Sequence, residues 1–96
     1  MLLNSYDKKG YIYEYRMNNN GDTKLDYQHR VKWELRYGKI PEGYEIHHIN
    51  GNKKDNRISE LKIFNIMGYV IYKSGNLMCL PAFIHTKLFH NIKNKI

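Results

Sequence analysis

The chain has 96 residues, which suits one domain near the small end of the usual size range. Its 16 lysines and arginines outnumber its 9 acidic residues, and 9 tyrosines are scattered along it, a composition that favours a polyanionic partner such as nucleic acid. A single cysteine excludes an intrachain disulfide and a cysteine-based zinc knuckle, and no apolar run reaches the ~20 residues of a membrane span. We therefore expect a protein of the reducing cytoplasm with no membrane partner.

The N-terminal part is predicted to contain a strand or hairpin. Residues 11–15 (YIYEY) are β-prone and follow a Lys9-Gly10 turn. The run 18–22 (NNNGD) has the composition of a loop.

A helix is predicted over residues 27–37, with Asp26 as its N-cap and Gly38 as its end. Tyr27, Val31 and Leu35 are spaced four apart and predict one buried stripe. Trp33 is expected to pack in the core, and His29 to be a packing or capping residue.

Two adjacent histidines end the next predicted strand. Apolar and polar residues alternate through residues 44–48 (YEIHH), so His47 and His48 should point to opposite faces. A Gly/Asn-rich loop, 50–52, follows and tolerates left-handed backbone. Three positive charges surround this loop and are predicted to meet phosphate: Lys53, Lys54 and Arg57.

The run from residue 38 to residue 57, GKIPEGYEIHHINGNKKDNR, resembles the HNH endonucleases of the ββα-metal superfamily, in particular the small phage and intron-encoded type. The matching positions are Tyr37, Gly38, Ile40, Pro41, Gly43, Ile46, His47, His48, Asn50, Gly51, Asn52, Asp55, Asn56 and Arg57. Asn50 stands where the family usually has aspartate. By this resemblance, a strand and helix after the loop should supply an asparagine and, nine residues later, a second metal ligand.

Two alignments compete for that second half. The first places Glu60 at the asparagine position and Tyr69 at the ligand position, which would break the site. The second uses Asn76, followed by leucine, and His85 nine residues later. We favour the second, in which Pro81 lies in the first turn of a helix with a packing stripe at Ile84, Leu88 and Ile92.

The favoured alignment requires an insertion over residues 58–74. This segment is apolar, unlike a disordered linker, and is predicted to add strands over residues 61–64 and 69–72, the latter joined to 76–80 as a hairpin. Its apolar residues also suggest a contact in a homodimer.

The resemblance implies an assignment of roles. His48 would be the general base, and Asn76 would brace the loop or orient His48. His47 and His85 would bind a divalent metal ion, Mg²⁺ or Mn²⁺ first and Zn²⁺ as the alternative. His90 is a weaker candidate because it lies five residues beyond His85 on the same predicted helix.

We thus expect one α+β domain with a ββα-metal finger. Its parts are an N-terminal arm and helix (1–37), the first half of the motif (38–57), the insertion (58–74), and the second strand and helix (75–96). The expected function is metal-dependent cleavage of double-stranded DNA in the cytoplasm, by nicking or with low specificity. The alternative is a catalytically inactive relative that binds nucleic acid, nucleotide or a protein partner.

Overall fold

The structure is a computed structural model that describes residues 4–6 and 9–89. The elements in chain order are β1 (Asn4–Tyr6), β2 (Ile12–Met17), β3 (Thr23–Tyr27), α1 (Gln28–Tyr37), β4 (Tyr44–His48), β5 (Leu61–Ile66), β6 (Tyr69–Ser74), β7 (Leu77–Pro81) and α2 (Ala82–Phe89). They form two antiparallel sheets, one ordered β1-β2-β3 and one ordered β4-β7-β6-β5. The α+β class predicted from the sequence is confirmed.

The three-stranded sheet contains the predicted N-terminal hairpin and a third strand that the sequence analysis missed. β3 pairs with β2 along its whole length, from Tyr13 opposite Tyr27 to Met17 opposite Thr23. Between them, the Asn18 side chain accepts hydrogen bonds from the backbone N–H groups of Asn20 and Asp22. The partly charged sequence TKLDY has a weak strand signal, so the pairing with β2 decides its conformation.

Helix α1 lies between the two sheets. The structure corrects two predictions made for this helix. Its N-cap is Tyr27, whereas Asp26 accepts a hydrogen bond from the Tyr27 N–H at 2.7 Å. Leu35, predicted to be buried, is 82 % exposed. A helix packed on both sides buries residues on two flanks, and here these are His29, Val31 and Trp33. The predicted end at Gly38 is confirmed, with φ at 94°, a value that favours glycine.

The four-stranded sheet contains the His-His strand and the insertion. β7 pairs with β4, placing Met78 opposite His47 and Leu77 opposite His48. β5 and β6 form the predicted additional strands, each two residues longer than predicted, and β6 continues into a hairpin with β7. The insertion therefore extends the sheet on the side away from β4.

Each face of this sheet carries its own buried cluster. The cluster that includes Trp33 of α1 contains Ile40, Ile46, Leu77 and Cys79. The cluster that includes Ile84 of α2 contains Ile71 and Leu80. The sheet is thus covered by α1 on one face and by α2 on the other.

Helix α2 begins one residue later than predicted, because Pro81 is the last residue of β7. Ile84 of the predicted stripe is fully buried, but Leu88 is 44 % exposed. Ile92 and the weak candidate His90 lie outside the described residues. Within 4–6 and 9–89, no helix is long and apolar enough to span a membrane.

Candidate active site

His47 and His85 lie side by side on the α2 face of the sheet. Nδ1 of His47 is 2.9 Å from Nε2 of His85. The other ring nitrogen of His85 is 2.5 Å from a carboxylate oxygen of Glu45, two residues before His47 and so on the same face of β4. The strand and the helix after Pro81 therefore bring together the two residues that the second alignment names as ligands.

The donor chemistry of this pair fits a divalent ion. An imidazole nitrogen binds a first-row divalent ion at ~2.0–2.1 Å, so two nitrogens 2.9 Å apart can reach one ion. Glu45 acts on His85 as carboxylates act on metal-binding histidines, because accepting Nδ1–H leaves the Nε2 lone pair available. Over the described ranges 4–6 and 9–89 there is no group of three or more His, Cys, Asp or Glu side chains placed to hold an ion. As a metal site, the pair would supply two imidazole nitrogens.

His48 lies on the opposite face of β4 and is held by an amide. Its Nε2 is 2.6 Å from Oδ1 of Asn56, at the end of the following loop. Asn56 in turn donates from Nδ2 to Oε1 of Gln28 at 2.9 Å, and Gln28 donates from Nε2 to Oε1 of Glu14 at 3.0 Å. His48 is therefore the first of four side chains that are hydrogen bonded in sequence.

Aromatic side chains enclose His48. The His29 ring meets it edge-on with 4.9 Å between ring centroids, and Tyr11 lies 6.1 Å away. Burial lowers the pKa of His48, although the hydrogen bond with Asn56 partly opposes this. Burial likewise lowers the pKa of His29 to about 4. Both imidazoles are consequently neutral near pH 7, the form in which His48 can accept a proton.

Asn76 braces the loop that follows the histidines. Its side-chain amide donates to Asn50 Oδ1 and to the Asp55 carbonyl, and its Oδ1 accepts from the Asn50 N–H. Gly75 brings the β6–β7 turn against this loop, since a Cβ there would lie 2.5 Å from the Arg57 carbonyl oxygen. Of the two roles expected for Asn76, the hydrogen bonds correspond to bracing the loop. The hydrogen-bond partner of His48 is Asn56, whose Oδ1 faces His48 Nε2.

The basic residues of the loop differ in their surroundings: two line pockets, and the third is bonded to a carboxylate. Lys53 lines a cleft of about 120 Å³ together with both histidines of β4 and His85. Lys53 and Lys54 also line a neighbouring pocket of about 320 Å³, which includes Lys9 of the N-terminal turn. Arg57 instead donates two hydrogen bonds of 2.7 Å to the Asp55 carboxylate, which hold the pKa of Asp55 well below its usual range.

The residues of the rejected alignment lie elsewhere. Glu60 is exposed ahead of β5, and Tyr69 begins β6 with its ring against Phe83 of α2 at 5.1 Å. These positions agree with the expectation that Tyr69 belongs to the inserted strands.

Comparison with known protein families supports the resemblance. A family model described as HNH endonuclease matches residues 26–65. The match assigns this segment to the HNH family. No curated protein and no solved structure matches the chain.

The HNH match covers helix α1, the His-His strand and the loop, and it ends within β5. Asn76 and His85 lie beyond it, so their connection with the HNH segment rests on the pairing of β4 with β7 and on the hydrogen bonds above.

Sequence reasoning missed three groups of the site: Glu45, Gln28 with Glu14, and Lys9. Glu45 could have been found, because a carboxylate two residues before His47 shares its face of the strand. Asn56 was part of the quoted motif but received no role. Gln28, Glu14 and Lys9 belong to the N-terminal part, and no local pattern connects them to His48 or to the loop.

Proposed function

We propose that this chain is a metal-dependent DNA endonuclease that hydrolyses phosphodiester bonds by nicking or with low specificity. The observation that carries the proposal is the approach of His85 to His47 beside His48, within a domain whose residues 26–65 match the HNH endonuclease model. We take the whole chain, residues 1–96, as one such domain.

His48 is the proposed general base. Hydrolysis of a phosphodiester requires removal of a proton from the attacking water, and a neutral imidazole suits this task near pH 7. Burial keeps His48 neutral, and the hydrogen bond to Asn56 fixes the ring. His48 also lines the cleft that contains His47, His85 and Lys53, so a phosphate placed there would lie beside the base.

His47 and His85 are the proposed ligands of a divalent ion, with Mg²⁺ or Mn²⁺ as the first choice and Zn²⁺ as the alternative. When bound, such an ion would stabilise negative charge on the phosphate and on the departing oxygen. Glu45 orients His85 for this task through its contact with Nδ1. The two-ligand set leaves room for phosphate and water oxygens around the ion.

Double-stranded DNA is the proposed substrate. Lys53 lines the cleft and Lys54 lines the neighbouring pocket, and both would contact backbone phosphates, which adds affinity without sequence preference. Arg57, also expected to contact phosphate, would first have to release Asp55. We place the activity in the cytoplasm. A homodimer stays a prediction, supported by the exposed apolar residues of the edge strand β5, among them Ile63, 61 % exposed.

The test is relaxation of supercoiled plasmid by the purified chain with Mg²⁺, Mn²⁺ or Zn²⁺, and with EDTA as the control. We expect nicked circles that require the ion and disappear in His48→Ala. Plasmid binding without nicking under all three ions would reject the enzyme and favour the alternative, an inactive relative that binds nucleic acid.

A further inference from the structure

Three side chains, those of Asn56, Gln28 and Glu14, connect the proposed base His48 to the three-stranded sheet. The sequence of contacts is His48 Nε2 to Asn56 Oδ1 at 2.6 Å, Asn56 Nδ2 to Gln28 Oε1 at 2.9 Å, and Gln28 Nε2 to Glu14 Oε1 at 3.0 Å. Gln28 is the first residue of α1, and Glu14 lies in the middle of β2. We call these four residues the relay.

The carboxylate at the far end determines the direction of every hydrogen bond in the relay. An ionised carboxylate only accepts, so Gln28 must present its NH₂ to Glu14 and its carbonyl oxygen to Asn56. Asn56 must then donate from its NH₂ to Gln28, which leaves its carbonyl oxygen facing His48. Since that oxygen only accepts, the hydrogen must be on Nε2 of His48.

We propose that Glu14, Gln28 and Asn56 are positioning residues that hold His48 in the tautomer with hydrogen on Nε2, so that Nδ1 is the nitrogen that accepts the proton. The catalytic part of this inference rests on the proposed nuclease function. The tautomer itself follows from the hydrogen bonds and holds whether or not the protein cleaves DNA.

The hydrogen bonds of the relay all run in one direction, from His48 to Glu14. The first of them points Nε2–H of His48 at the Asn56 oxygen. The two amide dipoles are aligned in the same sense, and the chain ends on a negative charge at Glu14. Hydrogen bonds in such a chain polarise one another, and donors and acceptors already in place need no reorganisation during the reaction.

A purely structural role would be to attach the three-stranded sheet to the rest of the domain. Other contacts already do this, because Arg16 of β2 forms an ion pair with Glu34 of α1 at 2.7 Å. Tyr11 and Tyr27 also pack against the His29 ring. Loss of the Glu14 carboxylate should therefore leave the sheet in place while removing the group that directs the relay.

The test is the tautomer of His48, read from the ring ¹⁵N shifts of the full ¹⁵N-labelled chain at pH 7, with the His48 signals identified by their loss in His48→Ala. We expect the Nε2–H tautomer to dominate in the wild type. In the Glu14→Gln variant, the amide at the end of the relay can donate as well as accept. The population of the His48 tautomer with hydrogen on Nδ1 should therefore rise. The exposed Glu42→Gln is the matched control and should keep the wild-type tautomer.

A second variant, Gln28→Leu, interrupts the relay in its middle. It keeps the test possible if Glu14→Gln does not fold. Thermal melts verify folding of both. In plasmid nicking we expect each variant to lower kcat about 10-fold with KM unchanged, the size typical of residues that orient a functional group through a hydrogen bond.

The outcomes separate the two proposals. A wild-type His48 with hydrogen on Nδ1, or variants that lose kcat while the tautomer stays as in the wild type, would overturn the relay and leave the nuclease proposal standing. If the wild type does not nick DNA but shows the expected tautomer, and Glu14→Gln shifts it, the nuclease proposal fails and the positioning of His48 is supported.

Discussion

The two faces of strand β4 place the neighbouring histidines His47 and His48 in different chemical surroundings. On the α2 face, His47 is half-buried next to a second imidazole and a carboxylate, a set of donors suited to a cation. On the α1 face, His48 is buried among aromatic rings and bonded to a neutral amide. An acidic neighbour favours binding positive charge, whereas burial favours a neutral imidazole. The same residue type thus suits a ligand role on one face and a base role on the other.

The largest expected effect is on the α1 face. His48→Ala should reduce nicking by roughly 10²–10⁴-fold, the usual contribution of general acid–base catalysis. Metal binding should persist, because the proposed ligands point to the other face, and isothermal titration with Mn²⁺ would measure it. Nicking at the wild-type rate would show that His48 is not the base.

On the same face, the buried His29 should make the folded state less stable as the pH falls. Its pKa is about 4 in the folded state and ~6.5 in an unfolded chain, so between these values the unfolded state binds more protons and stability falls as the pH falls. The shift corresponds to a loss of about 3 kcal/mol of unfolding free energy from pH 7 to pH 4. Urea melts at several pH values measure it.

His29→Phe provides the matched variant for that measurement. It keeps a ring between Tyr11 and Tyr27 and removes the buried Nδ1, which has no hydrogen-bond partner. We expect its stability to fall less between pH 7 and pH 4 than that of the wild type. Parallel pH profiles would mean that another group is responsible for the loss.

A smaller effect is expected on the α2 face. His47→Ala should weaken metal affinity about 10–100-fold, which we estimate by analogy with the loss of groups that support a metal site. Nicking should recover in part at high metal concentration, a recovery that His48→Ala must not show. His85→Ala should behave like His47→Ala, and unchanged Mn²⁺ affinity in both would exclude this pair as the metal site.

The smallest effect concerns the loop between the two faces. Neutralising Lys53 and Lys54 together should weaken binding to unrelated duplexes alike and flatten the slope of log affinity against log salt by ~0.9 for each lost phosphate contact. Arg57→Gln is the comparison variant and should change the slope less, because Arg57 is paired with Asp55. Equal slopes for all three proteins would remove this loop from the DNA interface.

Local patterns and the family resemblance together predicted the elements nearest the site. The alternation in YEIHH predicts that His47 and His48 point apart. The resemblance, through the nine-residue spacing from Asn76 to His85, selects the helix that faces His47. The apolar insertion predicts β5 and β6. The alternation and the apolar insertion are signals within one or two neighbouring elements, where side-chain periodicity follows directly from backbone geometry.

By itself, the sequence determined the order of strands and helices around the motif and the placement of His47 and His48 on opposite faces of their strand. Only the tertiary structure decided that α1 is buried on both sides, which exposes Leu35 and encloses His29. It also decided that Asn56, Gln28 and Glu14 line up behind His48, and that Arg57 is paired with Asp55. These contacts join residues whose orientation depends on packing between separate elements and on competition between hydrogen-bond partners, and no periodicity along the chain encodes either.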